Sequence, residues 1–345
     1  MNLNSNNKEI KYISFLSVFS ALAVVILHCA IFRYSAANPS KYWFISNLIM
    51  CVFFPAVPIF YMISGANLID YKNRYDTNVY FKKRLNKVLL PFIFWVIFYA
   101  IFNIYFMHEG PTENILLYLY NHCINDSIYW FFVPLFGIYL IMPLFSNIPK
   151  ENRIKLFSYL ITLIFIFSSV VPFLIQVFTL NLVVRPEFYL LSGFLMYPLL
   201  GYVLNEVDLD KKYRYLFYVL GILGLLGMFL PTQSVYDTTG QFSQMYKSYT
   251  FPTTALYAIA IWVLVKQLYA KYSFNSINKI VSFIKPYTFG IYLIHFYLIE
   301  IIFHYLKLNK QSMLFTVGMP IVVIPLTILI IIVLKKIPYV QKLVP

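Results

Sequence analysis

Of the chain's 345 residues, 61% are hydrophobic and 12% charged, more apolar surface than a soluble core of that length can bury, so the bilayer has to be its solvent. The formal net charge of +14 sits in short clusters between apolar runs and never along a solvated face, which fits membrane topology and excludes nucleic acid as a partner. Cys29 and Cys51 fall inside apolar runs and Cys123 between two of them, so neither a disulfide framework nor a metal site can be assembled.

Apolar runs of about 18–22 residues satisfy their own backbone hydrogen bonds in hydrocarbon only as helices. In chain order they lie near 13–32, 46–68, 88–107, 128–147, 156–177, 188–205, 214–231, 250–269, 286–306 and 313–334. The predicted fold is an all-α, polytopic membrane bundle of about ten transmembrane helices forming one domain over residues 1–345. No gap leaves room for a separate folded domain of about 50 residues. Residues 8–37 superficially resemble a signal peptide, with Lys8 and Lys11 ahead of the apolar stretch and Ser35-Ala36-Ala37 after it. The stretch is too long for one and is read as a retained first helix. With the N-terminus inside, 21 of the 27 basic residues fall on the cytoplasmic side. Arg33, Lys41, Arg185, Lys247, Lys307 and Lys310 fall outside. Both termini are therefore expected in the cytoplasm, with the protein in the cell membrane.

In the first run His28 shares a helical stripe with Ser14, Ser17, Ala21 and Val24. Such a small, partly polar face has to look into protein or a water-filled cavity. An imidazole there is either bonded between helices or serves as a catalytic base near neutral pH. The second run ends in Val57-Pro58-Ile59-Phe60-Tyr61-Met62-Ile63-Ser64-Gly65, where a Ser-Gly pair permits close backbone approach to a ligand. The loop after it holds the densest basic cluster, Lys72, Arg74, Lys82, Lys83, Arg84 and Lys87. Positive-inside topology explains part of that cluster; a grip on the phosphates of coenzyme A explains it equally well. Outside, His108, Glu109, Glu113, His122, Asp126, Arg185, Glu187 and Asp237 read mostly as solvated loop groups. Glu187, beside Pro186, is singled out to bind sugar hydroxyls. Trp43, Tyr129 and Trp130 suit interface anchoring. In the ninth run His295 lies mid-span, and Glu300 and His304 are four apart and can pair. Prolines within runs, among them Pro55, Pro58, Pro172 and Pro198, can open kinks beside a cavity.

Taken in order, these segments resemble the acyltransferase-3 family of membrane O-acyltransferases, which acylate surface polysaccharides, lipid-linked sugars and peptidoglycan. The resemblance rests on the stretch Phe15 to His28, on Val57 to Gly65, and on Phe81-Lys82-Lys83-Arg84 with Leu90-Pro91-Phe92. Trp130-Phe131-Phe132 with Pro143, and Gly290-Ile291-Tyr292-Leu293-Ile294-His295, complete it. It covers nearly the whole chain and implies a ten-helix core, acyl-CoA as donor on the cytoplasmic side and an acceptor outside. It assigns His28 as the essential histidine. Many members carry arginine where this chain has Ser17, eleven residues before that histidine. Donor binding then leans on Arg84 and its lysines, or the donor is held differently, or activity is lost.

The reading that follows is transfer of an acyl group, acetyl, from acyl-CoA to a hydroxyl of an extracytoplasmic polysaccharide or lipid-linked sugar. No permanently bound cofactor and no metal are expected. His28 is the catalytic residue. Arg84, Lys82, Lys83, Ser64 and Gly65 hold the donor; Glu187, Trp130 and His295 bind the acceptor. The alternative is a polysaccharide polymerase, a flippase-like transporter, or a non-catalytic component of surface-glycan assembly, sharing helix count and charge asymmetry.

Overall fold

The computed structural model describes residues 10–30, 42–111, 114–178, 192–309 and 312–345. Among them the regular structure is helical throughout, as backbone pairing in hydrocarbon requires. In chain order the rods are α1 (Lys11–Ala30), α2 (Trp43–Asn73), α3 (Thr77–Met107), α4 (Ile128–Asn147), α5 (Lys150–Val177), α6 (Met196–Glu206), α7 (Lys211–Thr239), α8 (Pro252–Lys271), α9 (Asn275–Leu306) and α10 (Leu314–Lys335). Nine of these, all but α6, are long and apolar enough to cross a membrane. The 11 residues of α6 rise about 16 Å, too little to cross alone. The predicted run 188–205 begins outside the described residues, and α6 is its C-terminal part.

Each rod shows where lipid lies by its own periodicity. Along α3, Ile93, Phe94, Ile97, Phe98 and Ile101 are exposed while Phe92, Trp95, Val96, Tyr99 and Ala100 are buried. The alternation of pairs follows the 3.6-residue turn, and in a membrane the exposed apolar stripe meets acyl chains. Prolines shape the rods from within. Leu85–Leu89, Phe165–Val170 and Leu314–Gly318 each widen to a turn closed by hydrogen bonds five residues apart, and Pro91, Pro172 and Pro320 each lie two positions beyond its end. A proline ring collides with the carbonyl four residues back, and the wider turn moves that carbonyl aside. Pro55 instead divides α2 into two segments, Trp43–Phe53 and Ala56–Leu68.

The basic cluster expected in a loop before α3 is helical instead. Asp76 Oδ1 accepts from the Val79 amide at 2.8 Å, capping a helix that starts at Thr77. An aspartate there satisfies an amide that would otherwise lack a partner, so the helix begins one loop earlier than hydropathy alone indicates. The basic residues gather at one end of the bundle. Lys72 bonds Asn147, Lys150 pairs with Glu206 at 3.3 Å, Lys285 donates to Ser14 at 2.8 Å and Lys335 to the Pro286 carbonyl at 2.7 Å. From α8, Lys266 reaches the carbonyls of Leu204, Asn205 and Val207, capping the C-terminus of α6 as a cation does best.

Arg153 is the knot of this end. It is 7% exposed, and its guanidinium donates to Asp70, to the carbonyls of Ser146 and Ile148, and to Tyr202. One side chain thereby joins α2, α4, α5 and α6. Arg153→Met should lower stability by about 2 kcal/mol, because three acceptors and a carboxylate lose their donor together; detergent-solubilised protein unfolded by heat provides the measurement. The His304 ring lies 5.0 Å from that of Phe106.

The closest backbone contact lies between α2 and α6. A Cβ on Gly65 would stand 1.8 Å from the Pro198 carbonyl oxygen, and one on Gly201 would stand 1.9 Å from that of Met62. Glycine alone fits at both positions, as at other small-residue contacts between membrane helices.

Candidate active site

Three cavities run along α1, and the stripe predicted there lines all of them. At the basic end a cavity of about 490 Å³ is bounded by Ser14, Ser17, Asp70, Arg74, Glu206 and Lys285. A second, of about 300 Å³, shares Ser17 with it and is lined by Ser64, Arg84, Lys87, Tyr139 and Tyr292. A third, of about 290 Å³, holds His28 with Val24, Trp130, Lys247, Tyr249 and Tyr292. Ser17 therefore joins the first two cavities and Tyr292 the last two. Between Ser17 and His28 the helix rises about 16 Å.

Arg84 closes the second cavity from the end of the capped segment of α3. Its guanidinium carbon lies 5.4 Å from the Tyr139 ring and 5.9 Å from the Tyr80 ring. Its Nε has no hydrogen-bond partner among the described residues. The aromatic faces of Tyr80 and Tyr139 hold the guanidinium at the cavity wall. Lys87 lies one turn on and lines the same cavity, since residues three apart share a helix face. Lys82 and Lys83 are exposed and line none of the three. Lys83 Nζ instead lies over the Tyr75 ring, 3.7 Å from its centre. Ser64 borders the cavity, with its hydroxyl donating to the Phe60 carbonyl at 3.1 Å. Gly65 does not: the backbone of Pro198 occupies the space that the sequence reading reserved for a ligand.

His28 is partly exposed within its cavity. Directly behind it stands His295, with ring centres 5.1 Å apart. His295 is fully buried and borders none of these cavities, so it does not stand where an acceptor would touch it. Its Nδ1 lies 2.8 Å from the Ile291 carbonyl oxygen. A carbonyl can only accept, so that nitrogen carries the proton and Nε2 keeps a lone pair. Nε2 has no partner among the described residues. The pair thus offers one imidazole open to the cavity and a second, sealed one able to accept an N–H from it. Ring contact, not a hydrogen bond, joins the two in this structure.

Trp130 lines the His28 cavity and stacks at 5.2 Å on Tyr249, whose other neighbour is Phe54 at 4.4 Å. An aromatic wall of this kind suits the apolar face of a sugar ring. Glu187 lies outside the described residues. Sequence reasoning had Lys87 within the basic cluster without separating it from its neighbours, and did not single out Tyr292 or Lys247 as lining residues. The three-residue spacing from Arg84 identifies Lys87; nothing local distinguishes the other two. Burial pushes the Cys123 thiol up to about 11, leaving it a neutral packing group rather than a nucleophile. Among the described residues no three His, Cys, Asp or Glu side chains are grouped to hold a metal.

A family model described as an acyltransferase domain matches residues 10–335. No curated protein and no solved structure matches the chain.

Proposed function

We propose, from the premise that this chain belongs to the acyltransferase-3 family and is a multi-pass membrane acyltransferase, that it carries acetyl from acetyl-CoA to a hydroxyl of an extracytoplasmic glycan or lipid-linked sugar. The basic end faces the cytoplasm of the cell membrane, as the charge asymmetry favours. The nucleotide phosphates of the donor rest on Arg84 and Lys87, with Arg74 and Lys285 lining the adjoining cavity in place of a cation at Ser17. The pantetheine arm then follows α1 past Tyr292 to His28. That run of cavities, sharing Ser17 and Tyr292, is the observation that supports the reading most.

At His28 the acceptor hydroxyl gives its proton to an imidazole nitrogen while its oxygen attacks the thioester carbonyl. The carbon–oxygen bond forms and the carbon–sulfur bond breaks. The departing thiolate takes the proton back from the imidazolium, leaving an ester and coenzyme A. His295, its ring centre 5.1 Å from that of His28, packs against the imidazole and limits the orientations that ring can take.

Comparing the surface glycan of cells with and without the gene by mass spectrometry tests the reaction; identical acetyl content in both refutes it. Arg84→Gln tests the donor site. A charge-assisted contact to phosphate is worth about 1.5–3 kcal/mol, so KM for acetyl-CoA should rise about 10- to 100-fold with kcat little changed. A KM equal to that of the wild type removes Arg84 from the donor site.

A further inference from the structure

Lys247 belongs to the segment between α7 and α8, at the end of the bundle away from the basic cluster. It is 5% exposed, as solvated loop lysines are not. Its Nζ lies 3.2 Å from Asn47 Oδ1 and 5.2 Å from the centre of the Phe242 ring. Unlike Lys150 with Glu206, Arg153 with Asp70 and Lys266 with Asp208, Lys247 has no carboxylate against it among the described residues. A buried ammonium has three donors and a full charge, and here one neutral oxygen and a ring face meet them.

The surroundings hold it in place. Asn47 donates to the Phe229 carbonyl at 3.2 Å and to Gln233 at 3.3 Å, which fixes its own oxygen toward Lys247. Two residues on, Tyr249 is clamped between Phe54 and Trp130. The lysine shares its cavity with His28, Trp130, Gln244 and Ser248. It is absent from the two cavities that hold Ser17, Arg84 and Lys285, so it faces whatever meets His28 from the side opposite the donor.

We propose that Lys247 is the anion-recognising group of the His28 cavity and that the acceptor is an acidic sugar, carrying a carboxylate or phosphate near the hydroxyl that is acylated. The inference rests on the acyl-transfer reading for the identity of the acceptor, and on the geometry of Lys247 for its charge. Burial pushes the ammonium down to about 8. Among the described residues the titratable groups around it are Cys51 on α2, His28 on α1, Tyr292 on α9 and Tyr249 beside it, with the exposed Asp237 of α7 one step further out, accepting from Gln233 at 2.9 Å. Cys51 favours the charged form, and burial outweighs it.

Calorimetry on the purified full chain with glucose, glucuronate and glucose 6-phosphate as probes tests this. The wild type should bind at least one acidic sugar about tenfold or more tighter than glucose at pH 7, as a charge-assisted contact gives. Which of the two binds distinguishes carboxylate from phosphate. Lys247→Gln should erase the preference and leave glucose unchanged; Lys247→Arg should keep it. In the wild type the preference should persist near neutrality and fade toward about pH 10, because the ammonium is present below its lowered pKa and lost above it. Equal affinity for all three sugars, no binding of any, or a preference that survives Lys247→Gln or high pH overturns the proposal. So does a Lys247→Gln that slows transfer equally to neutral and acidic acceptors with binding intact, for then the lysine serves the thioester oxyanion. His28→Ala keeps these readouts separate from catalysis: active His28→Ala protein overturns the base assignment and leaves the sugar-binding result standing.

Discussion

His28→Ala should lower acyl transfer by about 10²–10⁴-fold, the usual worth of a positioned general base, in a protein that still inserts and still binds acetyl-CoA. His28 lies in the cavity that Tyr292 shares with the Arg84 cavity. The residues proposed to hold the donor phosphates line the cavities at the other end of α1 and should not sense the substitution. Alanine leaves space and no buried charge, so folding is spared. The measurement is product ester by mass spectrometry alongside donor binding by calorimetry. Undiminished transfer would remove the imidazole from the chemistry; lost transfer with equally lost donor binding would make it structural. Substituting His295 cannot substitute for this test, since a ring fully buried against Ile291 contributes packing as well as orientation.

Gly65→Ala should be the most destructive single methyl group in the molecule. A Cβ placed 1.8 Å from the Pro198 oxygen lies roughly half of an ordinary contact distance away. The Pro198 oxygen is backbone and a Cβ is fixed by its own backbone, so no side chain can rotate out of the way, and α2 and α6 must separate. Overpacking costs typically about 1–3 kcal/mol where a core can yield, and this contact yields least, so about 3 kcal/mol or more is expected. Gly201→Ala, facing Met62 at 1.9 Å, should behave alike. Thermal unfolding in detergent, followed by size-exclusion chromatography, checks it. A variant that melts within about 2 °C of the wild type would mean that the two helices can part without cost.

The parts of the fold that depend on local pattern were legible in the residues alone. Hydropathy located the rods because lipid exposure is a property of each run, and the Ser14–Ser17–Val24–His28 stripe showed which side of α1 avoids lipid. The start of α3 was missed although Asp76 announced it: hydropathy does not register a polar cap. Arg84 was selected together with Lys82 and Lys83, and the helical turn separates them, turning Arg84 and Lys87 to one cavity and its neighbours outward. What no local pattern carries is meeting across distance. His28 and His295 are 267 positions apart, and Asn47 and Lys247 are 200 apart, so their partnership exists only once ten rods have packed. Gly65 shows the converse, where a residue suited to two uses was assigned to a ligand while a neighbouring helix claimed it.

Tyr292 stands in the wall of both the Arg84 and the His28 cavities, 5% exposed, with its hydroxyl donating to the Ile128 carbonyl. On the proposed route an enzyme that passes a thioester through a bilayer must not double as a proton or ion leak, because a leak would drain the gradient that energises the cell. One tethered phenol ring can serve as stopper, displaced only while a slender acyl chain fills its place, so that the passage is occupied at every stage of the cycle.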